Sequence, residues 1–258
     1  MLRTNDIILH IFLTVSDNLM DSDYKHPQAK LYLSEIVTIG LLWILKGTSF
    51  RSFYRWLSRE GYIPNLPERS RMSRLLATHH TVCNQFLDNT TLFTVLDSFG
   101  IELLHPVRER AYKQTVHPLA RKGLSNYRWI VGRKIAVSLN GNLKITHYDE
   151  NTANVADNSF NHTFSDPAVI TLTDRGFVKR NATPSNFKVC SRGTWPERMY
   201  IERLFSLWTR ICNLKHSLNR TLRGFQTKMA YTVALTNIVV SLNYQLQLNP
   251  ASMVQWSL

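Results

Sequence analysis

The spacing of apolar residues changes near residue 90, and this change constrains the fold more than any other feature of the sequence. Before it, the segments "EIVTIGLLWILK" (35–46) and "FRSFYRWLSRE" (50–60) are typical of helices, and Phe50, Phe53, Tyr54 and Leu57 give the second an apolar face. After it come short runs rich in β-branched and aromatic residues, "LFTVL" (92–96) and "AVITLT" (168–173). We therefore expect an all-helical region over residues 1–88 and a mixed α/β domain with C-terminal helices over residues 89–258.

Two helices in the first region are delimited by capping residues. Ser34 is expected to cap the first helix and Gly47 to end it. Ser49 is expected to cap the second, "FRSFYRWLSRE" (50–60), and Gly61 to stop it. Two helices joined by the short turn "KGTS" are typical of a helix-turn-helix.

The second of these helices carries Arg51, Arg55 and Arg59 at four-residue intervals, which places them on one face. Such a row is either an ordinary solvated face or the DNA-contacting face of a recognition helix. The chain has 31 Lys and Arg against 18 Asp and Glu, a net charge of +13, and this excess favours a polyanionic partner. The composition leaves both interpretations open and makes DNA the expected partner.

The sequence gives no sign of a membrane or secreted protein. The longest apolar run, residues 36–45, is shorter than the roughly 20 residues that cross a bilayer, and we interpret it as a core helix. Three cysteines without metal-type spacing favour a reducing compartment. We expect a complete chain, without a secretion signal, that works in a bacterial cytoplasm on the nucleoid.

Three carboxylates stand out by their positions in the second region. Asp97 ends the first strand-like run, Asp174 ends a later one, and Glu202 lies within a helical pattern; a hairpin at Asn140-Gly141 separates the two runs. Two-metal phosphoryl transfer needs oxygen ligands that converge from separate elements. Taken singly, each acid is more often a turn former or a solvated side chain.

The strings around these acids resemble the catalytic boxes of bacterial insertion-sequence DDE transposases: "VLDSF", "TDRGF" and "YIERLFSLW". That superfamily carries Tyr, Arg, Glu and Lys at fixed spacing around its glutamate, and Trp195, Arg198, Glu202 and Thr209 occupy those places here. "GRKIAVSLNGN" and "ENTANVAD" are similar to two further family segments, with alanine where histidine is common. The N-terminal half resembles the insertion-sequence family numbered nine-eighty-two.

The resemblance implies an RNase H-like catalytic domain, in which a mixed sheet flanked by helices brings two Asp-bearing strands together and a later helix presents a glutamate. Asp97, Asp174 and Glu202 would hold Mg²⁺, with Mn²⁺ as a substitute. The expected enzyme is a transposase that binds the ends of an insertion sequence, as a homodimer on double-stranded DNA. It would cut those ends and join the 3′-hydroxyl to target DNA.

The resemblance also suggests phosphate contacts. Arg198 would bind a phosphate near the scissile bond, while Arg133 and Lys134 would hold the DNA backbone. Thr209 lacks the charge of the family's lysine, and the adjacent Arg210 is expected to supply it. The alternative for Arg133 and Lys134 is that they are exposed charges at the edge of a strand, without a role in binding.

Two other functions remain open on the sequence. A DNA-binding protein derived from a transposase would share the charge and the helix-turn-helix but would not need three acidic boxes. A metal-dependent nuclease would need the same carboxylates. Asp157 and Glu150 are interpreted as turn-capping acids that take no part in catalysis.

Overall fold

The computed structural model describes residues 2–23, 25–105, 119–125, 128–179, 182–190, 197–215, 217 and 219–258. Within them the fold is mixed α/β. The helices are α1 (Thr4–Leu19), α2 (Leu33–Lys46), α3 (Phe50–Glu60), α4 (Arg69–His79), α5 (Asn161–Phe164), α6 (Arg198–Arg210) and α7 (Leu222–Gln245). The strands are β1 (Phe93–Leu104), β2 (Arg121–Ser125), β3 (Arg128–Asn140), β4 (Ile145–Thr152), β5 (Ile170–Thr173) and β6 (Phe187–Val189).

The chain forms two compact units: residues 1–86 with 210–213 and 223–258, and residues 87–209 with 214–222. The first, helical unit includes α7, although the sequence predicted that this helix belongs to the α/β domain. Gly40 of α2 lies against the Tyr231 ring of α7, where an added Cβ would stand 2.2 Å from a ring carbon. Because α7 is apolar around most of its circumference, its sequence does not reveal which core it joins.

The predicted ends of α2 and α3 are confirmed. Gly47 and Gly61 follow them with left-handed φ values of 62° and 68°, which glycine adopts without strain. Ser49 Oγ accepts a backbone N–H of the first turn of α3 at 3.2 Å. The cap predicted at Ser34 is wrong: α2 already begins at Leu33, and the Ser34 hydroxyl donates to an aspartate that precedes the helix.

No single helix in the described ranges is long and apolar enough to cross a membrane. Only α2 and α3 taken together reach that length and composition, and the chain bends by 116° between them. The apolar run at residues 36–45 is largely buried within α2, so its interpretation as a core helix is confirmed.

The second unit is built on a mixed sheet with the strand order β2-β3-β1-β5-β6, and β4 also pairs with β3. The pairs of β3 with β1, β2 and β4 are antiparallel, whereas β5 is parallel to both β1 and β6. The hairpin predicted at Asn140 is confirmed as β3–β4, but its turn differs: the left-handed residue is Leu143, with φ 61°. The Asn140 side chain shapes this loop by accepting the N–H groups of Asn142 and Lys144.

Asp97 lies inside β1, not at its end as predicted, since the strand continues to Leu104. Its parallel neighbour β5 stops at Thr173, directly before Asp174. The register pairs Val95 with Leu172, and two residues further on it sets Asp97 beside Asp174. Asp97 therefore lies where the neighbouring strand has ended, and this carboxyl edge of parallel strands is where open α/β sheets usually form their sites.

Candidate active site

Asp97 and Asp174 each tie one carboxylate oxygen to the backbone. Asp97 Oδ1 accepts the Ser98 N–H at 2.7 Å, and Asp174 Oδ1 accepts the Gly176 N–H at 2.8 Å. These hydrogen bonds fix the orientation of both carboxylates. The two Oδ2 atoms are consequently directed toward the same cation, the guanidinium of Arg198.

The guanidinium of Arg198 contacts all three carboxylates that the sequence singled out. Its Nη2 atom lies 3.8 Å from Asp97 Oδ2 and 3.6 Å from Asp174 Oδ2. Its Nε atom lies 3.3 Å from Glu202 Oε1, one helical turn away on α6. Acids from β1, from the end of β5 and from α6 thus meet around one positive charge.

An aromatic contact positions α6 for this role. Phe205 stacks on Phe99 of β1, with ring centroids 5.0 Å apart and an interplanar angle of 22°. Because side chains alternate along a strand, Phe99 and Asp97 share a face of the sheet. The stacking therefore holds α6 on the face that bears Asp97, and Glu202 and Arg198 lie about one and two turns before Phe205.

The three carboxylates differ in their access to solvent. The exposed fraction of the side chain is 15% for Asp97, 31% for Asp174 and 58% for Glu202. Burial raises the pKa of Asp97 from its ordinary value of 3.8 to about 7, and the neighbouring Asp174 and Asp157 carboxylates add to the rise. The Ser98 N–H and the Arg198 guanidinium oppose it. Asp97 is thus a desolvated acid that a further cation would stabilise strongly.

The chemistry of this donor set fits an oxygen-seeking divalent ion in part. Asp97 and Asp174 direct one hard oxygen each toward a single positive centre, as Mg²⁺ or Mn²⁺ requires. Glu202 is directed to Arg198 Nε on the solvent side. Among the described residues, no three His, Cys, Asp or Glu side chains stand close enough to form a metal site. A third protein ligand therefore requires Glu202 to turn away from Arg198.

Asp157 belongs to this site, although the sequence analysis interpreted it as a turn-capping acid. Its Oδ1 atom accepts the Ser98 hydroxyl at 2.6 Å and lies 2.9 Å from Lys134 Nζ. Ser98 points to the face of β1 opposite Asp97, so Asp157 supports the site from behind. Gly176 leaves room for it, since an added Cβ would stand 2.7 Å from Asp157 Oδ2 and 3.0 Å from Asp174 Oδ1.

Replacing Asp157 with Asn should lower the free energy of unfolding by about 2–4 kcal/mol, because it leaves the buried Lys134 ammonium without its counter-charge. Urea denaturation measures this loss. The double variant Asp157→Asn with Lys134→Met should recover part of it, since it removes both charges. The matched control is Asp166→Asn, at an exposed turn where Asn can accept the same backbone N–H. A single variant as stable as the wild type would show that the pair contributes nothing.

The DNA contacts predicted for Arg133 and Lys134 disagree with their surroundings. Arg133 is 5% exposed and pairs with Glu150, and Lys134 is 8% exposed and pairs with Asp157. Glu150, like Asp157, is therefore an ion-pair partner instead of a simple turn former. Both basic side chains are buried and paired with these acids, so they present no exposed charge to a DNA backbone.

The remaining predicted DNA contacts lie at the surface. Arg51, Arg55 and Arg59 are exposed on α3, and Arg210 is exposed at the end of α6. Thr209 is half-buried, and its hydroxyl donates to a backbone carbonyl of its own helix at 2.9 Å. Trp195, which takes the place of the family's tyrosine, lies outside the described residues.

Comparison of the chain with protein-family models, with curated protein sequences and with solved structures found no match.

Proposed function

We propose that this protein is a DNA transposase that cuts and joins DNA with Asp97, Asp174 and Glu202. The observation that carries the proposal is the convergence of these acids, from three separate elements, on Arg198. The same residues that resemble the DDE signature in sequence lie together in space, although they are far apart along the chain. If the resemblance of these short sequence segments were accidental, nothing would require the three acids to lie close together.

The arrangement of the sheet supports an RNase H-like fold. β1, which bears Asp97, and β5, which ends directly before Asp174, are parallel neighbours, and α6 presents a glutamate beside them. Helices and 3₁₀ turns cover the other face through an apolar cluster: Leu96, Ala136, Phe160, Phe164, Phe177 and Phe187. This is the layered order that the sequence resemblance implies.

Each residue of the site has a distinct role in the proposed reaction. Asp97 and Asp174 would hold the divalent ion, with Glu202 as the third ligand. When bound, this ion would supply charge neutralisation and an activated attacking oxygen. Arg198, displaced from the acids, would bind a DNA phosphate as a rigid donor fork. The Ser98 and Gly176 N–H groups would keep the aspartates oriented throughout.

The geometry of α2 and α3 supports a helix-turn-helix in the helical unit. The two helices are joined by residues 47–49 and bend by 116°, within the roughly 90–120° range of such motifs. Phe53 and Leu57 bury one side of α3, which leaves the arginine row on its exposed side. A basic helix presented in this way suits the major groove.

Replacing Arg51, Arg55 and Arg59 together with Ala should weaken binding to the protein's own DNA ends more than binding to random duplex. If at least one arginine reads a base edge, the specific complex should lose roughly tenfold more than the non-specific one. Fluorescence anisotropy at several salt concentrations measures both. Equal losses of affinity for the two DNAs would show that the arginine row contacts only the DNA backbone. Arg69, Arg71 and Arg74, exposed on α4, provide a triple-alanine control.

One reaction mixture separates the proposed function from its alternatives. It contains the purified chain, Mg²⁺, a DNA fragment that carries the coding sequence with its natural flanks, and a target plasmid. We expect cuts at fixed positions in the flanks and flank ends joined to the plasmid. Cutting without joining would indicate a nuclease, and binding without cutting would indicate a non-catalytic DNA-binding protein.

A further inference from the structure

Strand β2 and the first half of β3 form an antiparallel ribbon with an unusual outer surface. The register pairs Leu124 with Trp129 and Lys122 with Val131, so these four side chains share one face. Val131 is buried, but Trp129 is 56% exposed and Leu124 is 52% exposed. The ribbon thus presents an indole ring and an aliphatic neighbour to solvent.

A cation accompanies the exposed ring. Lys122 Nζ lies 5.3 Å from the centroid of the Trp129 ring, within the range of a cation–π contact. Arg121 and Arg128 are also exposed and belong to the same ribbon, but alternation places them on its other face, where Arg128 pairs with Glu102. Arg133 and Lys134, further along β3, are buried and paired with acids. The face that bears Trp129 therefore combines an exposed indole ring with the nearby ammonium of Lys122.

From this combination we propose that the outer face of the β2–β3 ribbon binds unpaired nucleotides of a DNA strand. A flat ring at the surface stacks on a base, while the adjacent Lys122 ammonium attracts a neighbouring phosphate. Base faces are accessible only where a strand is unpaired, because in a duplex they are covered by their neighbours. A protein partner is less suited, since an apolar contact would have to bury the Lys122 ammonium beside the ring.

This proposal requires that the protein binds DNA but does not depend on the cleavage chemistry. The test therefore uses the full chain in EDTA, where no metal-dependent cutting occurs. A fluorescent oligo-dT strand and a fluorescent duplex of equal length are titrated separately, with anisotropy as the readout. The variants are Trp129→Ala and Trp129→Phe, with Tyr244→Ala, at another exposed aromatic, as the matched control.

Trp129→Ala should weaken binding of the single strand about 5- to 100-fold, the range measured for loss of one base–aromatic stack. Duplex binding should change less than about twofold, and Trp129→Phe should retain most of the single-strand affinity because it keeps a stacking ring. Lys122→Gln should weaken single-strand binding and reduce its dependence on salt.

Three outcomes would overturn the proposal. Unchanged single-strand affinity in Trp129→Ala would show that the ring does not stack on bases. Equal losses on strand and duplex would show a general electrostatic surface. A wild type that self-associates without DNA and a Trp129→Ala variant that stays monomeric, compared by sedimentation, would identify the ribbon as a contact between two copies of the chain. None of these outcomes affects the proposed role of Asp97 in DNA cleavage, which the DNA-cutting assay tests separately.

Discussion

Asp97→Asn, Asp174→Asn and Glu202→Gln are each expected to reduce metal-dependent DNA cleavage by roughly a thousandfold or more. Each change removes a carboxylate proposed to hold the metal ion, and the several kcal/mol of transition-state stabilisation that a bound ion provides correspond to at least that factor in rate. DNA affinity should stay the same or increase slightly, because a negative charge near the phosphates is lost. Cleavage and anisotropy assays on the same preparations separate the two effects.

The matched control for these variants is Asp166→Asn. Asp166 is exposed, lies in the same unit, and its carboxylate accepts a nearby backbone N–H at 3.0 Å, which Asn can also do. It should cut DNA at the normal rate. Near-normal cutting by any one of the three active-site variants would refute the assignment of that residue.

Asp97→Asn should also stabilise the fold at alkaline pH, although it is expected to remove the proposed cleavage activity. An acid whose pKa is about 7 when folded and 3.8 when unfolded costs up to roughly 4 kcal/mol of stability once it is fully ionised. Asn keeps the acceptor for the Ser98 N–H and carries no charge. We expect the variant to exceed the wild type by about 1–4 kcal/mol at pH 8 in EDTA, measured by urea denaturation.

The pH dependence fixes the sign of this effect. Below pH 3.8 Asp97 is protonated in both states, so the variant gains nothing. Between pH 3.8 and about 7 the folded state holds a proton that the unfolded state releases, so wild-type stability falls as the pH rises. The advantage of Asp97→Asn should grow across this window and level off above it. A variant that is less stable than the wild type at pH 8 would show that Arg198 already compensates the charge.

Much of the candidate site could be predicted from local patterns. Asp174 follows a β-branched run that the structure confirms as β5, and Glu202 lies on the helix that its spacing indicated. The juxtaposition of Asp97 and Asp174 depends on parallel pairing across 77 residues, which composition cannot reveal. There the family resemblance supplied what local spacing could not.

The residues that sequence reasoning placed wrongly share one property: their environment is set by neighbours that are distant in sequence. Lys134 has the charge of a DNA contact, but its ammonium pairs with Asp157. The Asp157 carboxylate also accepts the hydroxyl of Ser98 on β1. Asp97 follows an apolar run that ends as a strand would, yet β1 continues because β3 pairs with it as far as Leu104. Side chains alternate along β1, so Ser98 lies on the face opposite Asp97, where it meets Asp157. This alternation was the sequence pattern that could have indicated the Lys134–Asp157 pair.

The most direct test of the central claim is anomalous diffraction from crystals of the full chain grown with Mn²⁺ and a duplex that carries its DNA end. We expect a manganese peak bonded to oxygens of Asp97 and Asp174, with Arg198 moved from the two carboxylates to a DNA phosphate. An ordered site without manganese, in which Arg198 still contacts the three acids beside bound DNA, would contradict the claim that these residues form a metal-dependent DNA-cleaving centre.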